Sequence, residues 1–306
     1  MRWTAVVNPV AGRGRTRRLL PELRSTLAAH DVAVHVATSA ADGVQAARDA
    51  YGRGHGVVAC GGDGTIAELA AVAAAHGGPL AVVPTGAGND FARQLDLDPR
   101  RPLRAIDLLE DGELVDIDLG RASAADGTSR AFTTVANTGF DSEANRWANG
   151  VQWARGSTLY LVAIARTLAV YRPQPVVVRV DDHEWRGKAW LVAIGNTRWY
   201  AGGLMITPDA EVDDGLLDVC VITATPTAKF VARLPTVFRG NHTRVDGVMM
   251  LRGREVEVLA DGGRVALDLW ASGERVGALP AMVTVDPKAL RVLAPRPRTD
   301  RGTTRP

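Results

Sequence analysis

Lysine is almost missing from this chain of 306 residues: only Lys188, Lys229 and Lys288 occur, and every other basic side chain of that class is arginine. No lysine precedes Lys188, so the first half can hold neither the lysine of a Walker A loop nor that of a protein-kinase strand. The GxxxxGK[ST] pattern is absent as well, and no GxGxxG with a properly spaced acidic partner opens the chain, which argues against a dinucleotide-binding dehydrogenase. Cysteine is limited to Cys60 and Cys220. Both sit in apolar, strand-like runs and read as buried free thiols of a reducing compartment, not as a disulfide framework. Charge of one sign is lacking too: a net +2 is too small to argue for nucleic acid. No signal peptide and no 20-residue apolar run is found. The expectation is a cytoplasmic protein that does not span a membrane.

What is present begins with Gly56 to Thr65, GVVACGGDGT. Gly56 to Cys60 reads as a short buried strand of a parallel sheet. Two glycines end it, and the Ala-rich IAELAAVAAAH then opens a helix near Thr65. Backbone N–H groups bared at such a helix start form an anion site, and glycines let phosphate oxygens approach. The carboxylate of Asp63 would repel phosphate unless a cation lay between them, so Mg²⁺ is expected there. A second glycine loop, PTGAGNDFAR at 84–93, follows a strand over Leu80 to Val83. An earlier one, Asn8 to Gly14, follows a strand over Arg2 to Asn8. Helices are expected over Thr16 to His30 and Ala40 to Tyr51, with a further strand over Val32 to Thr38. This alternation predicts a doubly wound α/β layer with ligand at the carboxyl ends of the strands. Asn89 and Asp90 read as a helix start.

Beyond about residue 120 the pattern changes to short alternating runs separated by turns, as in an antiparallel β-sandwich. The stretch 151–171, with Trp153, Leu159, Tyr160, Ile164 and Leu168 at near-helical spacing, reads as a helix packed on that sandwich or as a wall of an acyl-chain pocket. Arg13, Arg15, Arg17 and Arg18 read as facing anionic headgroups or as a solvated basic face, and 297–306 reads as a flexible tail.

GGDGT at 61–65, the loop at 84–93 and NPVAG at 8–12 resemble the bacterial diacylglycerol kinases and sphingosine-kinase-like lipid kinases, and more distantly NAD kinases. FTTVANTGFDSEA at 132–144, ITPDAEVDDGLLDV at 206–219 and the segment 272–295 extend the likeness over nearly the whole chain. The resemblance implies a nucleotide-binding α/β catalytic domain over 1–121, a β-sandwich lipid-substrate domain over 122–287, and a strand near 288–296 that returns to complete the first. It implies transfer of the ATP γ-phosphoryl group to a lipid hydroxyl, most naturally that of diacylglycerol, with Mg²⁺. The expected partners are ATP and a lipid substrate at the inner face of the membrane, with a homodimer left open and no nucleic acid. Asn8, Thr38, Gly61, Gly62, Asp63, Gly64, Thr65, Gly86 and Asn89 would bind the nucleotide. Asp63 would act on the metal, and Asp209, Asp213 and Asp214 would form a structural Mg²⁺ region. Asp118 would join the catalytic water network, although Asp116 lies on the same strand face. Asp141 falls where sphingosine kinases place an acidic residue near the lipid headgroup.

One departure stands out. The family's Asp-Gly-Glu reads Ser272-Gly273-Glu274 here, which removes the expected general base while leaving Glu274. A general base is worth about 10²–10⁴-fold, and positioning with charge stabilisation carries most of phosphoryl transfer. A slower or differently specific kinase is therefore expected. A catalytically silent lipid- or nucleotide-binding homologue is the alternative, and a NAD-kinase-like enzyme a more distant one.

Overall fold

The computed structural model describes residues 1–143, 167–168, 170–262 and 267–296. Most of the stretch 151–171 and all of the tail 297–306 singled out above lie outside these residues. The first part alternates strand and helix: β1 (Trp3–Val7), α1 (Ala11–Ala29), β2 (Ala33–Val36), α2 (Ala40–Gly52), β3 (Gly56–Gly61), α3 (Asp63–His76), β4 (Leu80–Pro84), α4 (Asp90–Gln94) and α5 (Arg104–Asp111). β1, β3 and β4 are wholly buried, as continuous apolar runs in a parallel sheet should be. Their order is β2–β1–β3–β4, all parallel. Consequently the loops after β1, β3 and β4 emerge side by side at one edge. In α1 the residues Gly12, Arg13 and Gly14 are left-handed, so the regular helix starts after the glycine loop.

The second part is β-rich: β5 (Glu113–Ala124), β6 (Ser129–Phe132), β7 (Val135–Gly139), β8 (Gln174–Val180), β9 (His183–Gly195), β10 (Trp199–Tyr200), β11 (Leu204–Met205), β12 (Leu217–Thr223), α6 (Thr227–Val237), β13 (Val248–Gly253), β14 (Glu255–Ala260), β15 (Asp268–Ala271), β16 (Glu274–Ala278) and β17 (Ala281–Ala294). Except for the β10–β11 ribbon, these strands join β1–β4 in one hydrogen-bonded network whose second-part pairings are antiparallel. It folds as a β-sandwich-like domain around Val178, Ile194, Val219, Val258, Leu269 and Val283. Helix α6 interrupts the short alternating strands expected beyond about residue 120. Cys60 and Cys220 are buried free thiols, and burial pushes each up to about 12.

β5 and β17 tie the two parts together. They run antiparallel from Ala124↔Ala281 to Glu113↔Ala294, and Val292 also pairs in parallel with Leu80 of β4. One end of this ribbon therefore belongs to the α/β layer and the other to the sandwich. The register slips between Asp286 and Leu290, opposite Asp118. Asp118 fills that slip: its Oδ1 accepts the Lys288 N–H at 2.8 Å and its Oδ2 the Gly215 N–H at 2.6 Å. Its own backbone carbonyl accepts Asn196 Nδ2 at 3.1 Å, and its N–H donates to the Val212 carbonyl. Asp116, two residues earlier, is exposed and paired with Arg291 at 2.7 Å. The two share a strand face, but only at Asp118 does the 212–215 loop cover that face. Asp118 is fully buried, lines neither of the two larger cavities described below, and stands as a junction residue. Removing its carboxylate strands two buried N–H donors. Asp118→Ala should lower unfolding free energy by about 2–5 kcal/mol in urea titration, and Asp118→Asn, which keeps one acceptor oxygen, should lose less.

Candidate active site

Two cavities flank the first turn of α3. The smaller, about 220 Å³, is lined by Asn8, Thr38, Ser39, Thr65 and Glu68 beside apolar Val6, Val44 and Leu69. The larger, about 330 Å³, lies between the two parts of the fold. Its walls are Asp63, Gly88 and Asp90 from the α/β layer and Thr134, Asn137, Asp141, Tyr200, Gly202 and Ser272 from the β-rich part. Thr65 Oγ1 accepts the Asn8 Nδ2 at 2.8 Å, fixing the loop after β1 to α3. The Thr38 hydroxyl donates to Asp42 at 2.9 Å, so the threonine lines the smaller cavity with its hydroxyl already partnered.

The glycines of the two loops serve each other. A Cβ on Gly86 would stand 2.3 Å from the Cα of Gly62, so the loops after β3 and β4 touch backbone to backbone. A Cβ on Gly88 would stand 2.7 Å from Asp63 Oδ2 and 3.5 Å from Asp90 Oδ2. The missing side chain thus leaves a space on which two carboxylates converge. The first hydrogen bond of α3 runs from Ile66 N–H to the Gly62 carbonyl at 2.9 Å, which leaves the N–H groups of Asp63, Gly64 and Thr65 without a helical acceptor. That is an anion-binding helix start.

Asp63 is held from across the gap. Its carboxylate accepts the Asn89 N–H at 2.7 Å and the Phe91 N–H at 3.2 Å, capping α4 in place of Asn89, whose own side chain makes no cap bond. Asn89 Nδ2 instead donates to the Gly86 carbonyl at 2.9 Å, and its Oδ1 is buried without a partner. Burial pushes the Asp63 carboxyl up, against the pull of these N–H groups and of Arg93. Asp90 pairs with Arg93 Nη1 at 2.6 Å and accepts the Gly202 N–H at 2.7 Å, a bond that crosses from the α/β layer to the β10–β11 turn. Burial first, and then the Asp63 charge, raise Asp90 from 3.8 to about 6. Asp90 was legible in the sequence only as a helix start. Its chemical position depends on Gly202, more than a hundred residues away.

Ser272 occupies the β15–β16 turn with φ +47°, followed by Gly273 at +82°. Its hydroxyl lies 3.2 Å from that of Thr134, and its N–H donates to the Val135 carbonyl at 3.1 Å. The turn thereby faces Asp63 across the larger cavity. Glu274 points to the opposite rim: it pairs with Arg130 at 3.3 Å and approaches Gly64 of α3. Glu68 is pushed up by burial and then by the Glu274 charge, which places both acids at one edge of α3. Asp141 lines the larger cavity and accepts Asn137 Nδ2 at 2.8 Å.

The acidic turn 209–214 gathers around Arg252. Arg252 donates to the Asp209 carbonyl at 2.9 Å and to Asp218 at 3.1 Å, and lies 3.5 Å from Asp214. Asp213 is exposed. A guanidinium thus supplies positive charge here, engaging Asp214 and Asp218 but neither the Asp209 nor the Asp213 carboxylate. Among the described residues no group of three or more His, Cys, Asp or Glu side chains is arranged to hold a metal by itself.

Residues 2–122 match the model of the diacylglycerol kinase catalytic domain, and residues 134–294 match the YegS C-terminal NAD kinase beta sandwich-like domain. A protein of Mycobacterium tuberculosis (strain H37Rv) named "Diacylglycerol kinase" is 35% identical over 297 residues, covering 96% of this chain and 95% of that one. A Pseudomonas aeruginosa (strain PAO1) protein named "Probable lipid kinase YegS-like" is 33% identical over 285 residues, 90% of each. A crystal structure described as a diacylglycerol kinase from Bacillus anthracis superposes with a TM-score of 0.72 at 18% identity, covering 96% of this chain and 97% of that one, which shows a shared fold.

The position of Asp90 gives a pH signature. The native carboxyl binds its proton near pH 6 and the unfolded one near 3.8, so the native state holds the extra proton between these values. This contribution to stability is full below about pH 3.8 and is lost as pH rises through about 6. Compared with Asp90→Asn, the wild type should therefore gain about 3 kcal/mol between about pH 7.5 and pH 3.5, read from paired urea titrations.

Proposed function

The chain belongs to the diacylglycerol kinase family, and on that premise we propose that it is an ATP- and Mg²⁺-dependent lipid kinase acting on the hydroxyl of diacylglycerol. The observation that carries this reading is the first turn of α3 standing between two cavities. Asp63 faces the larger one, whereas Thr65 and Glu68 face the smaller. A nucleotide seated by Asn8, Thr38, Thr65 and the apolar side chains of the smaller cavity would lay its phosphates over the free N–H groups of α3. Its γ-phosphoryl would then arrive where the larger cavity opens. Holding donor and acceptor in line is most of what this chemistry asks of a protein.

Asp63 and Asp90 would hold Mg²⁺, with the buried Asn89 Oδ1 as a further oxygen. Two carboxylates converging beside Gly88 form an oxygen-rich cradle of the kind Mg²⁺ takes when substrate phosphates complete its shell. The ion, when bound, neutralises charge building on the transferred group. Arg93 holds Asp90, and through Asp63 the protein sets the orientation of α4. The acceptor hydroxyl would enter beside Ser272 and Thr134. Serine cannot take its proton as a carboxylate would, but Asp141 lines the same cavity and would supply an acceptor directly or through water. The acceptor resides in a bilayer, so turnover would take place at the inner face of the membrane. Among the described residues no helix is long and apolar enough to cross one. A silent homologue is the second reading, and Ser272 is the residue that favours it.

With γ-labelled ATP, Mg²⁺ and mixed micelles of diacylglycerol, the wild type should label the lipid. Asp63→Asn, which keeps one of the two acceptor oxygens for α4, should lose at least about 10³-fold in kcat while remaining folded, with only a modest fall in melting temperature. Ser272→Asp suits the left-handed turn, which tolerates Asp, and should raise kcat about tenfold or more. No labelled lipid from either the wild type or Ser272→Asp would sink the kinase reading.

A further inference from the structure

Helix α6 is apolar on both sides. Phe230, Leu234 and Val237 face inward, and Phe230 stacks on Trp190 with ring centroids 4.5 Å apart and planes within 6°. The outward stripe is Ala228, Val231, Ala232, Pro235 and the C-capping Phe238, at the i, i+3, i+4, i+7 and i+10 spacing of one helix face. Phe238 is 60% exposed and Val231 41%. A soluble helix normally turns charged residues outward on this side. Here the charge around the stripe is mainly basic: Lys229, Arg239 and Arg244 are exposed, no acidic residue occurs between Asp218 and Asp246, and Asp246 itself is an exposed acid whose carbonyl Arg233 of the helix contacts. The chain as a whole is balanced, with 36 Lys and Arg against 34 Asp and Glu. This local asymmetry therefore does not follow from composition.

We propose that the outer face of α6 is a membrane-docking surface, with Val231, Pro235 and Phe238 entering the headgroup–acyl boundary of an anionic bilayer and Lys229, Arg239 and Arg244 reaching its headgroups. This rests on the lipid-kinase reading for its purpose, though not for its physics. A short helix with an apolar stripe and basic flanks binds in the interface plane, and its arginine and lysine stems can extend their charges to anionic headgroups. Continuity with the acceptor cavity commits the surface to a bilayer. Phe230 meets Phe140 edge-on at 5.5 Å, and Phe140 immediately precedes Asp141 of the cavity wall. One aromatic layer thus separates the docking face from the acceptor site, so a protein seated through α6 would hold that cavity close to the bilayer that stores its substrate.

Flotation of the full chain with phosphatidylcholine vesicles, with and without added phosphatidylglycerol, tests this. The wild type should partition to the anionic vesicles and be released by salt. Lys229→Ala with Arg239→Ala should weaken partition about 20-fold, and Val231→Ser with Phe238→Ser about tenfold or more, with melting temperatures unchanged. Activity on vesicle-borne diacylglycerol should fall in parallel, while kcat/KM on a short-chain, water-dispersed diacylglycerol stays at the wild-type value. Wild-type protein that fails to bind anionic vesicles, or variants that bind as well as wild type, would overturn the proposal. So would a dimer that Phe238→Ser splits, in sedimentation, without any change in vesicle binding. If no lipid is phosphorylated but partition still follows the variants, the surface stands and the kinase reading falls.

Discussion

The β5–β17 ribbon makes one hydrogen-bonded body of two domains that could otherwise move apart. Its lower half completes the parallel sheet through Val292 and Leu80, and its upper half edges the sandwich. Through this ladder the loops after β3 and β4 face the β15–β16 turn across the larger cavity. The weak point is the slip between Asp286 and Leu290, where ladder bonds are interrupted. Asp118 closes it by accepting one N–H from β17 of the ribbon itself and one from the 212–215 loop. A buried carboxylate bonded in this way is costly to remove but harmless in place. The acid that resemblance draws toward catalysis thereby has structural work of its own.

Charge in the acceptor cavity follows from the same geometry. Asp63, Asp90 and Arg93 are brought into one partly water-excluded space, and the single guanidinium does not neutralise both acids. Burial pushes both Asp63 and Asp90 up, and at Asp90 the Asp63 charge adds to it. A site with excess negative charge beside free helix N–H groups suits a phosphate delivered together with a divalent cation. In the acidic turn 209–214 the charge is organised around Arg252, which pairs with Asp218 and lies near Asp214.

Much of the α/β layer was legible because buried parallel strands are continuous apolar runs and their loops are punctuated by glycine. Gly62, Asp63 and Gly86 could be placed at strand ends from sequence alone. What the glycines touch could not, since Gly62 and Gly86 lie against each other and not only toward a ligand. α6 escaped the reading because it carries Pro235 and has no side-chain cap, so neither an uninterrupted helical run nor a start signal marks it. Asp90 was legible as a cap residue, but the proximity of Asp63 and Gly202 that shifts its carboxyl has no local signature.

Local chemistry in the sequence determined the elements: apolar runs, glycine breaks and alternation specify which segments are strands and where a phosphate-binding helix begins, because those preferences act over a few residues. The tertiary structure decided which acids share a site. Asp116 and Asp118 sit on the same strand face, yet only Asp118 is covered by the 212–215 loop, while Asp63 and Asp90 meet because two loops pack backbone to backbone. Burial and charge neighbours are properties of chain crossings, and these set the reactivity of a carboxylate.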